Sequence, residues 1–163
     1  MFMKKTYRLF IDLDGVLVNF DAGVQLATGR LPEALTDRQM WPVLARTPGF
    51  YEHLPWMPDG QELWAFCRSH DPVIVTGLPL GKWAEPQKRA WCIRELGAEI
   101  PVICCLSRDK GKRAAELLGP EELMVLVDDR LKVQAAWEDA GGQFILHTSA
   151  QASIVALRAL GFT

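Results

Sequence analysis

The chain has 163 residues, of which 49% are apolar and 23% charged, and its formal net charge is −2. This length is typical of one globular domain whose core is large enough to fold without disulfide bonds. The near-neutral charge argues against nucleic-acid binding, which normally leaves a basic surface, but it does not exclude a small anionic ligand. We therefore expect a single domain over residues 1–163, with no nucleic-acid partner.

The amino-terminal apolar stretch ends at Ile11, where acidic residues interrupt it, and no small-residue cleavage site follows. No apolar run approaches the roughly 20 residues that a membrane span requires. We expect a cytoplasmic protein that does not contact a membrane. The cysteines Cys67, Cys92, Cys104 and Cys105 show no Cys-x-x-Cys spacing. This favours reduced thiols in or near the core over a zinc or redox site.

Short apolar runs alternate with helical patterns along the chain. The predicted strands are 7–11, 73–75, 102–106, 124–127 and 144–146. The predicted helices are one that starts near Val18, followed by 59–69, 83–96, 110–118, 132–140 and 150–160, with Gly97, Gly119 and Gly141 as expected left-handed caps. Near-continuous apolar strands are typical of a parallel sheet covered on both faces. The alternation predicts a doubly wound α/β fold.

Residues 29–58 interrupt this alternation, because they are rich in proline and aromatic residues. We predict that they form most of a small cap insertion at about residues 18–58, the cap segment, which would lie over the carboxyl edge of the sheet. Long insertions in compact domains tend to be functional. The alternative is a long loop whose aromatic side chains pack onto the core.

Polar residues suited to phosphoryl transfer follow the predicted strands. They are Asp12 and Asp14 after the first strand, Thr76 and Gly77 after the second, Arg108, Asp109 and Lys110 after the third, Asp128 and Asp129 after the fourth, and His147 after the fifth. Ligands of open α/β sheets bind outside the carboxyl ends of the strands. Up to four carboxylates would converge there, and a hard cation with oxygen ligands, Mg²⁺, is the simplest compensation for their repulsion. The alternative is that Asp14 and Asp129 are separate helix N-caps.

The other strand-end groups would serve the substrate. The Thr76 hydroxyl and the Lys110 ammonium could hold the oxygens of a phosphoryl group, and Gly77 would allow its backbone to approach closely. Lys112 is a nearby rival to Lys110. We expect His53 and His147 to be structural or surface residues.

These segments resemble the haloacid dehalogenase (HAD) superfamily in the same order along the chain. The matching stretches are Asp12-Leu13-Asp14-Gly15-Val16-Leu17, Val73-Ile74-Val75-Thr76, Lys110, and Val125-Leu126-Val127-Asp128-Asp129. The chain is further similar to the 5'(3')-deoxyribonucleotidase family through Phe20, Pro48-Gly49-Phe50-Tyr51, Lys88 with Trp91, and Ser107-Arg108-Asp109-Lys110. Where that family usually has Thr-Ser-Pro, this chain has Thr76-Gly77-Leu78-Pro79, so one hydroxyl on the phosphate side is missing.

The resemblance implies a phosphatase with Asp12 as the nucleophile and Asp14 as the acid and base. It further implies Mg²⁺ held by Asp12, the main-chain carbonyl of Asp14, and Asp128 or Asp129. Thr76, Lys110 and Lys88 would hold the phosphate. Phe20 and Trp41 are candidates for stacking on a nucleobase, with core packing as the alternative for both.

The favoured substrate is a nucleoside monophosphate, and the alternatives are a sugar phosphate, another small phosphomonoester or a nucleic-acid 3'-phosphate end. Two non-enzymatic readings compete with hydrolysis. Receiver domains carry similar residues, but their acidic pair comes first and their lysine last, which does not match this chain. A non-catalytic HAD-like binding module would not need both Asp12 and Asp14. The sequence leaves the oligomeric state open, a homodimer included.

Overall fold

The computed structural model describes residues 5–163 and contains a five-stranded parallel sheet. The strands are β1 (Thr6–Ile11), β2 (Val73–Gly77), β3 (Val102–Cys105), β4 (Glu122–Asp128) and β5 (Gln143–Leu146), in the spatial order β3-β2-β1-β4-β5. The chain leaves β1 on one side to form β2 and β3 and then returns to the other side for β4 and β5. The direction of winding therefore reverses between β1 and β4. Such a switch point opens a crevice at the carboxyl ends of the strands.

Seven helices surround the sheet within the described residues. They are α1 (Phe20–Thr28), α2 (Asp37–Arg46), α3 (Gly60–Cys67), α4 (Ala84–Glu95), α5 (Lys110–Ala115), α6 (Gln134–Asp139) and α7 (Ala150–Ala159). Short 3₁₀ turns occupy Pro32–Ala34, Arg68–His70, Ser107–Asp109 and Leu131–Val133. None of the helices in residues 5–163 is both long and apolar enough to cross a membrane.

The two faces of the sheet carry separate apolar cores. Along β1, Leu9 and Ile11 belong to the core cluster that includes Trp91 and the buried residues of α3, α4 and α7. Phe10 belongs to the other cluster, where it meets the edge of Trp137 from α6 at a ring-centroid distance of 5.5 Å. Successive side chains of a strand point to opposite faces, so this division is the one expected for a sheet covered on both sides. The predicted doubly wound α/β fold is confirmed.

Most element boundaries differ from the predictions by one to three residues. The strand that starts at Val73 continues to Gly77, and the strand predicted from residue 124 starts at Glu122. The helix predicted over residues 110–118 ends at Ala115, and the left-handed cap predicted at Gly119 is wrong. Gly97 and Gly141 do have positive φ, at 122° and 95°.

The cap segment combines two α-helices and a 3₁₀ turn with irregular stretches. It contains α1, whose amino terminus is capped by the Asn19 side chain at 3.0 Å from the Ala22 nitrogen. It also contains α2, whose start is a capping box between Thr36 and Gln39. Its apolar residues belong to the same core cluster as α3, α4 and α7. The cap segment is therefore packed continuously against that face of the sheet.

Candidate active site

The turn after β1 positions the first two aspartates. The Asp12 nitrogen donates to the Val127 carbonyl at 3.0 Å, which extends the β1–β4 ladder by one residue. The chain then folds back, with the amide groups of Val16, Leu17 and Val18 all donating to the Leu13 carbonyl. Gly15 has a φ of 81°, in the left-handed region that favours glycine. Asp12 and Asp14 are thereby held at the carboxyl edge of the sheet.

Lys110 joins the carboxylates of the two central strands. It is the first residue of α5 and only 2% exposed, and its ammonium lies 2.9 Å from Asp12 Oδ1 and 2.8 Å from Asp128 Oδ2. Asp128 ends β4, and its Oδ1 accepts from the Arg130 nitrogen at 2.9 Å. Lys112, the rival lysine, is exposed on the surface of α5. The structure therefore places Lys110 in the site and Lys112 outside it.

Asp129 completes a cluster that could hold a metal ion. One carboxylate oxygen each from Asp12, Asp128 and Asp129 lie within 4.8 Å of one another. A Cβ atom on Gly15 would overlap the Asp129 carboxylate, so the absence of a side chain at position 15 gives this carboxylate its place. Carboxylate oxygens are the ligands that Mg²⁺ prefers. The residues present therefore fit a small hard cation.

The proton affinities of the cluster follow from crowding. Burial, followed by the neighbouring charges of Asp12 and Asp128, raises the pKa of Asp129 to about 7, even though part of this side chain is accessible from the cavity. Burial also raises the pKa of Asp12, against the lowering influence of Lys110. Burial lowers the pKa of Lys110, but Asp12 and Asp128 more than offset it, and the net pKa is raised. Without a cation, the cluster therefore carries more negative charge than its one lysine balances.

A second lysine holds Asp14. Lys88 of α4 is 2% exposed, and its ammonium lies 2.8 Å from Asp14 Oδ2, 2.9 Å from Thr76 Oγ1 and 2.8 Å from the Gly77 carbonyl oxygen. An ammonium has three donors, and all three are in use here. We predicted that Lys88 and Thr76 would hold phosphate. In the structure they are bonded to each other, and Lys88 fixes the candidate acid and base.

Tyr51 from the cap segment covers this lysine. The Lys88 ammonium lies 4.4 Å from the centre of the Tyr51 ring, a cation–π contact. Burial, and then the charge of Asp14, raises the pKa of the Tyr51 hydroxyl. The Tyr51 nitrogen donates to Gln87 Oε1 at 2.9 Å, which ties the cap segment to α4. Tyr51 thus brings the cap segment into contact with Lys88 at the carboxyl edge of the sheet.

A cavity of about 540 Å³ lies between the cap segment and the carboxyl edge. Phe20 and Trp41 both line it, with ring centres 6.0 Å apart and planes inclined by 40°. Their rings touch each other, so they form one aromatic wall rather than the two sides of a slot. Asp21 and Asp37 also line the cavity and give it a polar side. Phe20 and Trp41 also pack against the core, as the alternative interpretation of these residues predicted.

Several cavity residues were not selected from the sequence. Tyr51 lies in the Pro48-Gly49-Phe50-Tyr51 stretch, where its neighbours in sequence gave no sign of a contact with Lys88. Ser107 lines the cavity beside Lys110, and Arg130 lies at its rim next to Asp129. His53 and His147 lie outside the cavity lining, as expected. His53 bonds to the Gly49 carbonyl oxygen, and the buried His147 bonds to Ser153.

The comparisons with known proteins bear on this arrangement through the fold. No family model and no curated protein matches the chain. Among solved structures, it is similar to a hydrolase from Streptococcus pneumoniae, with a TM-score of 0.56, 14% identity, and coverage of 97% of this chain and 98% of that one. It is also similar to a candidate haloacid dehalogenase-like hydrolase from Burkholderia xenovorans, with a TM-score of 0.52, 16% identity, and coverage of 86% and 80%.

The chain has the HAD-like fold. At these identities the likeness concerns the fold alone. In this HAD-like fold, Asp12, Lys110, Asp128 and Asp129 converge at the switch point between β1 and β4, where a ligand of an open sheet binds. All four cysteines are free and buried, in agreement with the expectation of reduced thiols in or near the core.

Proposed function

We propose that the protein is a Mg²⁺-dependent phosphomonoester hydrolase that works through an aspartyl-phosphate on Asp12. The observation that carries the proposal is the Lys110 ammonium between Asp12 and Asp128, with Asp129 alongside. A nucleophilic carboxylate needs compensating positive charge before it can approach an anionic phosphate. Lys110 supplies part of this charge, and a divalent cation on the three carboxylates would supply the rest.

The two aspartates after β1 would divide the chemistry. A carboxylate oxygen of Asp12 attacks phosphorus, forming a new O–P bond as the bond to the leaving alkoxide breaks, and Asp14 gives its proton to that alkoxide. Asp14 then takes a proton from the water that attacks the aspartyl-phosphate. Inorganic phosphate leaves and the Asp12 carboxylate is regenerated. When bound, Mg²⁺ would offset negative charge on the phosphoryl oxygens.

The buried lysines would orient these groups. Lys110 fixes Oδ1 of Asp12, so the carboxylate keeps one orientation toward the cavity. Lys88 holds Asp14 and Thr76 at the opposite side of the same edge. Orientation of this kind lowers the entropic part of the barrier.

Two classes of substrate fit the cavity. A nucleoside monophosphate is favoured, because the aromatic wall of Phe20 and Trp41 can cover one face of a base. A sugar phosphate is the second candidate, since the Asp21 and Asp37 carboxylates in the lining can accept hydrogen bonds from hydroxyl groups. A panel of nucleotides and sugar phosphates, compared by kcat/KM with Mg²⁺, distinguishes them. If nucleotides react no faster than sugar phosphates, the nucleotidase assignment is wrong.

Substitution of the nucleophile tests the reaction itself. Asp12→Asn should abolish Mg²⁺-dependent hydrolysis of p-nitrophenyl phosphate while the thermal unfolding transition stays cooperative. Asp139→Asn, at an exposed position on α6, serves as the control and should keep full activity. Wild-type turnover by Asp12→Asn would rule out the proposed nucleophile.

The leaving group tests the acid. Asp14→Asn should slow an alkyl phosphate, whose alkoxide needs a proton, far more than p-nitrophenyl phosphate, whose phenolate leaves unaided. An equal loss on both substrates would count against general-acid catalysis by Asp14.

A further inference from the structure

The hydroxyl of Ser107 lies in a place that Gly77 leaves open. Gly77 ends β2, and its strand partner is Cys105 at the end of β3, two residues before Ser107. A Cβ atom on Gly77 would overlap Ser107 Oγ and would lie 3.6 Å from Ser107 Cβ. The Ser107 hydroxyl therefore occupies the volume that a side chain at position 77 would fill.

This hydroxyl has no visible structural purpose. Ser107 opens the 3₁₀ turn Ser107–Asp109, but the amino terminus of that turn has no side-chain cap. Its carbonyl oxygen accepts from the Lys110 nitrogen, whereas we find no hydrogen-bond partner for its hydroxyl among residues 5–163. Ser107 is half-buried and lines the cavity together with Asp12 and Lys110.

The neighbouring polar groups already make hydrogen bonds within the protein. The Thr76 hydroxyl accepts from Lys88, and the ammonium of Lys88 uses its three donors on protein oxygens. The Lys110 ammonium is shared between Asp12 and Asp128. A free hydroxyl donor beside these groups is thus available to an incoming anion without breaking a bond within the protein.

We propose that the Ser107 hydroxyl donates a hydrogen bond to a non-bridging oxygen of the substrate's phosphoryl group, and that it supplies the hydroxyl absent from position 77. The inference rests on the proposed function, since it assigns a phosphate-binding residue to that same site. Because β2 and β3 are paired in parallel, their carboxyl ends lie side by side. A hydroxyl for the phosphate can therefore come from position 77 after β2 or from Ser107 after β3. Ser107 is a substrate-binding residue that the strand-end pattern did not identify.

The test measures binding of inorganic phosphate in the presence of Mg²⁺ by isothermal titration calorimetry, on the full chain. Ser107→Ala should weaken the Kd for phosphate by about tenfold to a hundredfold, the range for loss of a hydrogen bond to a charged group. Ser69→Ala removes an exposed hydroxyl from the turn Arg68–His70 and should leave the Kd unchanged. The double variant Gly77→Ser with Ser107→Ala returns a hydroxyl from the other strand end and should bring the Kd back to within about threefold of the wild type.

Three results would overturn the inference. The first is a Kd for Ser107→Ala within twofold of the wild-type value. The second is a weakened Kd that the double variant does not restore, because the loss would then come from cavity shape. The third is the absence of phosphate binding to the wild-type protein. Failure of the proposed function is a separate result: the wild type would bind phosphate, yet hydrolyse no phosphomonoester.

Discussion

Replacing Gly15 by alanine should weaken Mg²⁺ binding at the proposed metal site, and Gly29→Ala provides a matched control. The two glycines have nearly the same left-handed backbone, with φ of 81° and 77°. An L residue in this conformation costs about 1–2 kcal/mol. A Cβ atom on Gly29 meets nothing within 4 Å, so this conformational cost is the whole expected effect there. At Gly15 the added Cβ atom overlaps the Asp129 carboxylate as well.

The two variants should therefore separate stability from metal affinity. Without Mg²⁺, both should lower the free energy of unfolding by about 1–2 kcal/mol. Displacement of Asp129 relieves carboxylate repulsion, so the extra clash in Gly15→Ala adds little to that loss. Only Gly15→Ala should weaken Mg²⁺ binding, by at least about tenfold, because one of three ligands is moved.

Two measurements decide the matter. Urea unfolding without metal gives the free energies, and calorimetric titration with Mg²⁺ gives the affinities. The reasoning would be refuted if Gly15→Ala bound Mg²⁺ as tightly as Gly29→Ala. It would also fail if Gly29→Ala lost affinity to the same extent, since the effect would then not come from Asp129.

Three further predictions concern the charged groups of the site. Lys110→Met should lower the free energy of unfolding by about 3–5 kcal/mol, because it leaves buried carboxylates unpaired. The control Lys112→Met, at an exposed position, should change it by less than about 0.5 kcal/mol. Equal midpoints of urea unfolding in the two variants would contradict this prediction. Because the pKa of Asp129 is raised to about 7, the folded apoprotein retains a proton on this carboxyl that the unfolded chain has lost. The free energy of unfolding of the apoprotein should therefore fall as the pH rises toward 7. Over the same range the affinity for Mg²⁺ should increase and then level off. Asp129→Asn should flatten both pH profiles, and an unchanged profile would exclude this residue as the titrating group. Tyr51→Leu removes the cation–π contact to Lys88 and should lower kcat by about fivefold to thirtyfold with little change in KM. Tyr51→Phe keeps the ring and should have the wild-type kcat. Equal kcat values in the two variants would argue against the contact.

The sequence predicted the order of the five strands and of six of the seven helices in the described residues, whereas α2 in the cap segment was not predicted. Strands and helices can be predicted from the spacing of apolar residues, because this spacing is a property of consecutive residues. Parallel strands bring their carboxyl ends to one edge, so the convergence of Asp12, Asp128 and Asp129 followed once the strands were assigned. The choice of Lys110 over Lys112 agrees with the structure for the same reason, since Lys110 is the first residue of α5 and faces that edge.

Contacts between side chains that are far apart in sequence could not be predicted in this way. Lys88 was expected on the phosphate, but it bonds to Asp14, 74 positions earlier in the chain. That pairing depends on how α4 lies beside β2, which no local pattern records. Phe20 and Trp41 were candidates for stacking on a base or for core packing, and their contact with each other depends on the packing of α1 against α2. Ser107 was not selected from the sequence. The role proposed for it depends on the absence of a side chain at Gly77, at the end of the neighbouring strand β2.

The strand order has a consequence for how this chain acquires activity during folding. β1 pairs with β4 along its whole length, although the two strands are more than a hundred residues apart in sequence. Contacts of such long range close late and slowly, because the entropy of the intervening loop must be lost first. Asp12 and Lys110 therefore cannot meet Asp128 until β4 has paired with β1. Recovery of phosphate or Mg²⁺ binding after dilution from denaturant would thus report the pairing of β4 with β1, and either ligand would favour the assembled state by mass action.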